Sequence, residues 1–327
     1  MVKASVLSKK ITAVIACYKD AQAIPFMYRR LVDVFTKIGV DYEIIFVNDC
    51  SPDNAREVLE ELTSKDSKVI AINHSRNFGS QNAFTSGMRI SSGDAVVLLD
   101  GDLQDPPEVI EHFYYKWLEG FDVVYGVRIK REANLFLNIA YKAFYRVFKY
   151  MSYINIPVDA GDFSLIDRKV VNIINTLPEN NRFMRGLRAW AGFKQTGVEY
   201  FRPERMFGKS TNSMINNMAW ARKAIFSFSY VPMDFMIVLA LFFLLISFIL
   251  ASVQITMKLL HPELSPSGYT TLLLVTIFMG SIQLLCFAII GSYISHMYDE
   301  IKHRPPYVVE SYINYLPKKS ADKDAPH

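Results

Sequence analysis

A chain of 327 residues with 51% hydrophobic side chains has length for about two domains and is too apolar to stay disordered. Its net charge of +4 is too small to mark a nucleic-acid binder. The three cysteines, Cys17, Cys50 and Cys286, are too widely separated to suggest a disulfide framework or a zinc site.

In the first 130 residues short apolar runs alternate with amphipathic ones, the pattern of an α/β fold with a mainly parallel sheet and helices on both faces. The spacing predicts a strand over 11–16, a helix over 24–38, a strand over 42–47 and a helix over 54–65 with Ser51 or Asp53 as its cap. A strand over 69–73, a helix over 80–91, and strands over 95–99 and 122–125 follow. The opening run KKITAVIACYKD is too short in apolar residues for a cleavable signal and lacks a processing site. Ligands of such sheets bind beyond the carboxyl ends of the strands. Polar residues collect at those ends: Tyr18, Lys19 and Asp20; Asn48, Asp49 and Ser51; Ser75, Arg76 and Asn77; Asp100 and Asp102. One pocket would gather all four groups.

The stretch VVLLDGDLQDPPE, Val96 to Glu108, is the most telling: an apolar strand stops in two aspartates one residue apart. The Asp-Gly pair alone reads equally as a tight hairpin turn. A carboxylate pair at a strand end also suits a hard divalent cation, Mg²⁺ or Mn²⁺, whose shell is completed by water and substrate phosphate. That chemistry points to nucleotide sugars.

Further along, 139–156 is rich in Tyr and Phe with Lys142, Arg146 and Lys149, and 212–230 mixes Met214, Trp220, Phe226 and Phe228 with Arg222 and Lys223. Each reads either as an amphipathic helix in a membrane interface or as packing against the globular part. No charged residue falls between Phe235 and Val253, nor between Ser267 and Ser295, and a bilayer requires about 20 such residues. The expected organisation is therefore a catalytic domain at 1–210, a juxtamembrane segment at 211–230, membrane helices at 231–257 and 269–296, a short extracytoplasmic loop at 258–268 and a tail at 297–327. Arg222 and Lys223 precede the first span and Lys302, Arg304, Lys318 and Lys319 follow the second, which places domain and tail on the cytoplasmic side of the cell (inner) membrane. Membrane lipids are expected contacts of these basic residues.

The runs VNDCSPDNA, SRNFGSQNAFTSGMRISSGD, LLDGDLQDPPE, VDAGDFSLIDRKVV, and RFMRGLRAWAGF through GKST, in this order, resemble family 2 glycosyltransferases of the GT-A fold. The branch is that of dolichol-phosphate mannose synthases and bacterial bactoprenol glucosyltransferases. The resemblance covers about residues 11 to 300. One departure lies at the second strand, where the family commonly has two adjacent aspartates and this chain has Asn48 and Asp49.

The resemblance implies roles. Asp49 would take hydrogen bonds from the base or ribose of the nucleotide, with Tyr18, Asp20, Asn77 and Asp100 also on the nucleotide sugar. Asp102 would ligate the metal, with Gln104 as a second oxygen and Asp100 shaping the site. Asp162, in what reads as an Asp159-to-Phe163 turn, matches the acidic residue near the sugar, either a general base or a residue that orients the sugar or an arginine. A polyprenyl phosphate has a second pKa of about 6 and is already a nucleophile at neutral pH. It needs positioning more than proton removal, which arginine supplies by bidentate contact. Arg128 and Arg131, just after the fifth strand, and Arg202, Arg205 and Lys209 nearer the membrane are the candidates. The implied reaction inverts the anomeric carbon while moving a sugar from a nucleoside diphosphate, UDP preferred, to a lipid such as undecaprenyl phosphate. A homo-oligomer is compatible with the resemblance. Two rival readings are a transferase to a glycan or lipid hydroxyl and a non-catalytic carrier of lipid-linked sugar. Processive hydroxyl-acceptor relatives carry Gln-x-x-Arg-Trp, and the nearest run here is Arg188-Ala189-Trp190.

Overall fold

The computed structural model describes residues 9–129, 160–180, 182–203, 206–207, 231–260 and 268–316. They divide into two units, one that holds the sheet and takes back the chain from His303 onward, and one that holds two long helices.

The sheet unit runs β1 (Lys10–Cys17), α1 (Ile24–Ile38), β2 (Asp41–Asn48), α2 (Ala55–Lys65), β3 (Val69–His74), α3 (Ser80–Ile90), β4 (Ala95–Asp100), α4 (Val109–Leu118), β5 (Val123–Ile129), β6 (Ala160–Asp167), α5 (Arg168–Thr176), α6 (Met184–Ala191) and β7 (Gln195–Phe201). The helical unit is α7 (Val231–Leu260) and α8 (Tyr269–Ile301), after which the chain adds β8 (Val309–Ile313) to the sheet. The eight strands lie in the order β7-β5-β6-β4-β1-β2-β3-β8.

The near-continuous apolar runs of β1 and β4 are buried on both faces, as central parallel strands require. Ala13 and Ile15 of β1 join the core formed with Met27, Leu31 and Phe35 of α1. Val14 points the other way, where a Cβ on Gly87 of α3 would lie 2.3 Å from its Cγ1. The absence of a side chain at 87 lets α3 sit directly on the sheet. Helix α1 starts with Pro25 in its first turn and stops at Gly39, whose φ of 70° is the left-handed conformation that ends helices. Between them Ile24, Met27, Leu31, Val34 and Phe35 make one buried stripe.

The sheet is mainly parallel as expected: β1 to β5 and β7 run one way, while β6, antiparallel between β4 and β5, and β8, antiparallel to β3, run the other. Two expectations need correction. Asp162 lies within β6 and not in a turn. Phe163, Leu165 and Ile166 are buried there, while the Asp-Ala-Gly-Asp run carries the composition of a turn. Strand β5 continues to Ile129, so Arg128 is on the strand rather than after it, paired in register with Tyr200 of β7. The polar tail also contributes structure: V-E-S-Y-I alternates half-buried and exposed residues as an edge strand does.

Helices α7 and α8 span 30 and 33 residues and expose large apolar side chains, among them Phe248, Leu259, Leu272, Leu284 and Phe287. Within this unit the Phe243 and Phe278 rings meet edge to face at 5.3 Å. Among the described residues one stretch, Phe278–Ile301, is long and apolar enough to cross a membrane by length and composition.

Away from the carboxyl ends of the strands, buried Glu43 accepts hydrogen bonds from Thr12 Oγ1 (2.8 Å) and from the Ser92 N–H (2.9 Å) and hydroxyl (2.8 Å). Gly93 fits beside them because it lacks a Cβ, which would stand 2.6 Å from the Thr12 nitrogen and 2.9 Å from the Lys10 carbonyl. Backbone on that side leaves no room to relax. Gly93→Ala is expected to destabilise the protein by about 1–3 kcal/mol through overpacking, read as a lower midpoint of thermal unfolding in detergent. An unchanged midpoint would show that the strand ends give way.

Candidate active site

The loops that follow β1, β2 and β4 each hold one non-glycine residue in left-handed backbone: Lys19 (φ 64°), Cys50 (φ 53°) and Leu103 (φ 60°). Each such residue costs on the order of 1 kcal/mol and persists only where the surroundings over-determine it. Here the loops lock one another. The Lys19 N–H donates to Ser51 Oγ (2.7 Å), the Ala21 N–H to Asp53 Oδ2 (3.0 Å) and the Ser51 hydroxyl to Asp53 Oδ1 (2.6 Å). The expected cap is thus shared: Asp53 accepts the Ala55 N–H, Ser51 serves the loop, and Asn54 at the cap position makes no capping bond. The Gly101 N–H reaches the Ala16 carbonyl at 2.9 Å, and a Cβ there would crowd that carbonyl, Asp20 Oδ2 and Cys17 Sγ. Glycine between the two aspartates is what lets the end of β4 lie against the end of β1.

Asp49 is buried and serves the loop after β3. Its Oδ1 accepts the Phe78 N–H (2.8 Å) and faces His74 Nδ1 (2.8 Å), and its Oδ2 accepts the Gly79 N–H (2.7 Å). His74 Nε2 lies 3.0 Å from Ser86 Oγ, and the imidazole stacks on Tyr307 with ring centroids 5.4 Å apart. Asp49, His74 and Ser86 resemble a nucleophilic triad only in residue type, since all three are sealed in the interior. Asn48, which departs from the family pattern, donates through Nδ2 to Asn73 Oδ1 (2.9 Å) and accepts the Ser51 N–H (2.9 Å). An aspartate could not make the first of these bonds. Asn77 is exposed, with Arg76 folded over Phe78 at 4.0 Å; Tyr18 is half-buried; Asp20 is buried and accepts the Tyr18 N–H (3.3 Å).

The carboxylates that close β4 form the electrostatic centre. Burial, and then the charges of Asp105, Asp102 and Asp162, push the Asp100 carboxyl up to about 8, against the pull of Arg128. Asp102 is buried and its Oδ1 accepts the Gln104 N–H (3.1 Å), while Gln104 Nε2 donates to the Pro203 carbonyl (3.4 Å). Among the described residues no group of three or more His, Cys, Asp and Glu could hold a metal unaided. Asp100, Asp102 and the Gln104 oxygen nevertheless fit a hard cation that takes few protein ligands and completes its shell from phosphate and water. The mutual repulsion of the carboxylates is the charge excess such a cation would offset.

Arginines surround this centre. Asp162 receives a two-point contact from Arg185, Nε to Oδ1 at 3.1 Å and Nη2 to Oδ2 at 3.2 Å. Burial alone would raise the Asp162 carboxyl, but Arg185, Arg188 and Arg128 outweigh it and hold it below the usual carboxylate range. Arg188 is buried and donates to the carbonyls of Gly161 (2.9 Å) and Asp162 (3.3 Å), and burial brings its guanidinium down to about 10 despite Asp162. Arg128 donates through Nε to the Tyr200 hydroxyl (3.2 Å), and its Nη2 lies 3.9 Å from Asp105. Arg202 is half-buried, its Nε enclosed with no hydrogen-bond partner. Arg131, Arg205 and Lys209, and the segments 139–156 and 212–230, lie outside the described residues.

The structure thus brings together Asp100, Asp102, Asp162 and Arg128, and it sets Asp49 in a buried loop lock. It adds Asp105, Arg185, Arg188 and Tyr200, to which sequence reasoning assigned no role. The available signal was the i, i+3 spacing of Arg185 and Arg188, which places both on one side of a helix.

The glycosyl transferase family 2 profile matches residues 12–174. The chain is 39% identical over 298 residues to the uncharacterized glycosyltransferase YkcC of Bacillus subtilis (strain 168), covering 91% of this chain and 92% of that one. It is 35% identical over 303 residues to the bactoprenol glucosyl transferase of Shigella phage SfV, covering 92% and 98%. Glucosyl-3-phosphoglycerate synthase from Mycobacterium tuberculosis, solved with Mn²⁺, UDP and glucosyl-3-phosphoglycerate, is a looser likeness at 16% identity and a TM-score of 0.42, over 67% of this chain and 78% of that one. This chain belongs to glycosyl transferase family 2, and the matched region carries an α/β sheet with flanking helices.

Asp162→Asn removes the charge that holds Arg185 while keeping the shape of the side chain. Sugar transfer is expected to fall by about 100-fold, the scale of losing one preorganised electrostatic group, with nucleotide affinity nearly unchanged in a titration. Near-normal turnover would remove Asp162 from the chemistry.

Proposed function

We propose that this glycosyltransferase moves a sugar from a nucleoside diphosphate, UDP preferred, to the phosphate of a membrane polyprenyl lipid such as undecaprenyl phosphate, with inversion at the anomeric carbon. The observation that carries this reading is the pairing of opposite charges at one strand end: Asp100 and Asp102 at the end of β4, with Arg128, Arg185 and Arg188 ranged about the neighbouring Asp105 and Asp162. Acids there suit a cation and arginines suit anions, and the reaction brings a diphosphate and a phosphate together. The bactoprenol glucosyl transferase among the relatives carries the same acceptor class in its name.

Asp102, Gln104 and Asp100 would hold Mg²⁺ or Mn²⁺, which when bound supplies Lewis-acid stabilisation to the departing diphosphate. Tyr18, Asp20 and Asn77 line the nucleotide side, and Asp49 acts there by fixing the backbone of Phe78 and Gly79. Asp162, ionised and tied to Arg185, orients rather than abstracts a proton, which suits an acceptor that arrives already deprotonated. Arg128 and Arg202, with Arg131, Arg205 and Lys209, would seat the acceptor phosphate by charge-assisted hydrogen bonds. Helices at 231–257 and 269–296 would both cross the cell membrane, with the catalytic domain and the tail on the cytoplasmic side. The 30 and 33 residues of α7 and α8 exceed the roughly 20 that a crossing needs.

The test is transfer from a panel of radiolabelled UDP- and GDP-sugars to undecaprenyl phosphate by the purified full-length protein, with and without Mn²⁺. The expected result is a glycolipid made from one donor, dependent on the metal and β-linked from an α-linked donor. Transfer to a glycan hydroxyl alone, or an α-linked product, would overturn the acceptor or the in-line geometry respectively.

A further inference from the structure

We propose that Asp105 is a positioning residue for the acceptor phosphate, acting through Tyr200 on Arg128. The proposal rests on the acceptor reading above and adds the part that sets that arginine in place.

Asp105 lies in the loop between β4 and α4 and is 1% exposed. The Tyr200 hydroxyl donates to its Oδ1 and in turn accepts the Arg128 Nε–H at 3.2 Å, while Arg128 Nη2 stands 3.9 Å from the same carboxylate oxygen. The chain has space made for it. A Cβ on Gly126 would lie 2.6 Å from the Tyr200 ring, and one on Gly161 would lie 3.2 Å from Arg128 Nη2. The edge of Phe163 packs against the Tyr200 ring at 5.5 Å and closes the other side. Glycines on two strands therefore leave room for one tyrosine and one arginine, and Tyr200 is held by packing as well as by hydrogen bonding.

A buried carboxylate is expensive, and a lock meant for stability alone is served as well by apolar residues. The asymmetry of exposure points to another use. Asp105 is sealed, whereas the Arg128 side chain keeps 27% of its surface open. An inaccessible anion thus fixes an accessible cation. Arg202 adds positive charge to the field at Asp105. Arg128, anchored on a buried counter-charge and itself partly open, makes a seat for an anion oxygen.

The test titrates farnesyl phosphate, with farnesol as control, into the full-length protein in detergent, with UDP binding followed in parallel. Wild type is expected to prefer the phosphate. Asp105→Asn should weaken that binding about tenfold, the scale of one charge-assisted hydrogen bond, and leave UDP affinity unchanged. Tyr200→Phe keeps the ring and its packing, so it guards against a folding defect in the first variant; it should act in the same direction, and the double variant should be no weaker than Asp105→Asn alone. Normal farnesyl phosphate binding in both variants, an equal loss of UDP, or effects that multiply would overturn the role of Asp105 while the acceptor reading stands. A wild-type protein that does not prefer phosphate over alcohol would overturn the acceptor reading, and Asp105 with it.

Discussion

The rest of this structure depends on how it bears negative charge inside a sheet. Asp100, Asp102, Asp105 and Asp162 converge at the end of β4 and along β6, and carboxylates taken out of water repel one another strongly. Each is held differently. Asp162 is paired in two-point fashion by Arg185, Asp105 is tied to Tyr200 with Arg128 nearby, and Asp100 is left with a carboxyl raised well above its usual range. The arrangement separates a compensated flank, bounded by arginines, from an uncompensated one at Asp100. The same strand end thereby offers unlike surfaces to a cation and to anions.

Holding that arrangement requires backbone that does not yield. The left-handed residues Lys19, Cys50 and Leu103 each turn a loop more sharply than a regular turn would, and the bonds from Lys19 and Ala21 to Ser51 and Asp53 make the first two loops a single body. Close approach at Gly101 brings the third alongside. On the far side, the edge strand β8 covers β3, Ser311 accepts from Asn73, and Tyr307 stacks on the His74 that faces Asp49. The chain that follows the long helices thus helps to fix the loop that Asp49 holds.

Legibility differed by element for identifiable reasons. Helix α1 was readable to its ends because Pro25, Gly39 and the apolar stripe each state a boundary or a face. Strand β6 was not, because Gly161 and its flanking aspartates have turn composition, and the reason for that glycine is the Arg128 side chain arriving from β5. Strand β8 was hidden for a similar reason: an edge strand of five residues, alternately half-buried and exposed, has no apolar run. In the site, Asp100, Asp102 and Asp162 stood out by motif, while Asp105 looked like one more polar loop residue until its burial against Tyr200 was seen.

The sequence by itself determined the alternation of strands and helices, the placing of acids at strand ends, the long uncharged stretches near the carboxyl terminus and the family, since hydrophobic period and motif order are local properties of a chain. The tertiary structure decided which charges meet: that Asp162 pairs with Arg185, that Asp49 is spent on backbone N–H groups, and that Asp105 anchors Arg128 through Tyr200. Those pairings join residues from 23 to 95 positions apart. Their strength depends on burial, which no local pattern of residues encodes.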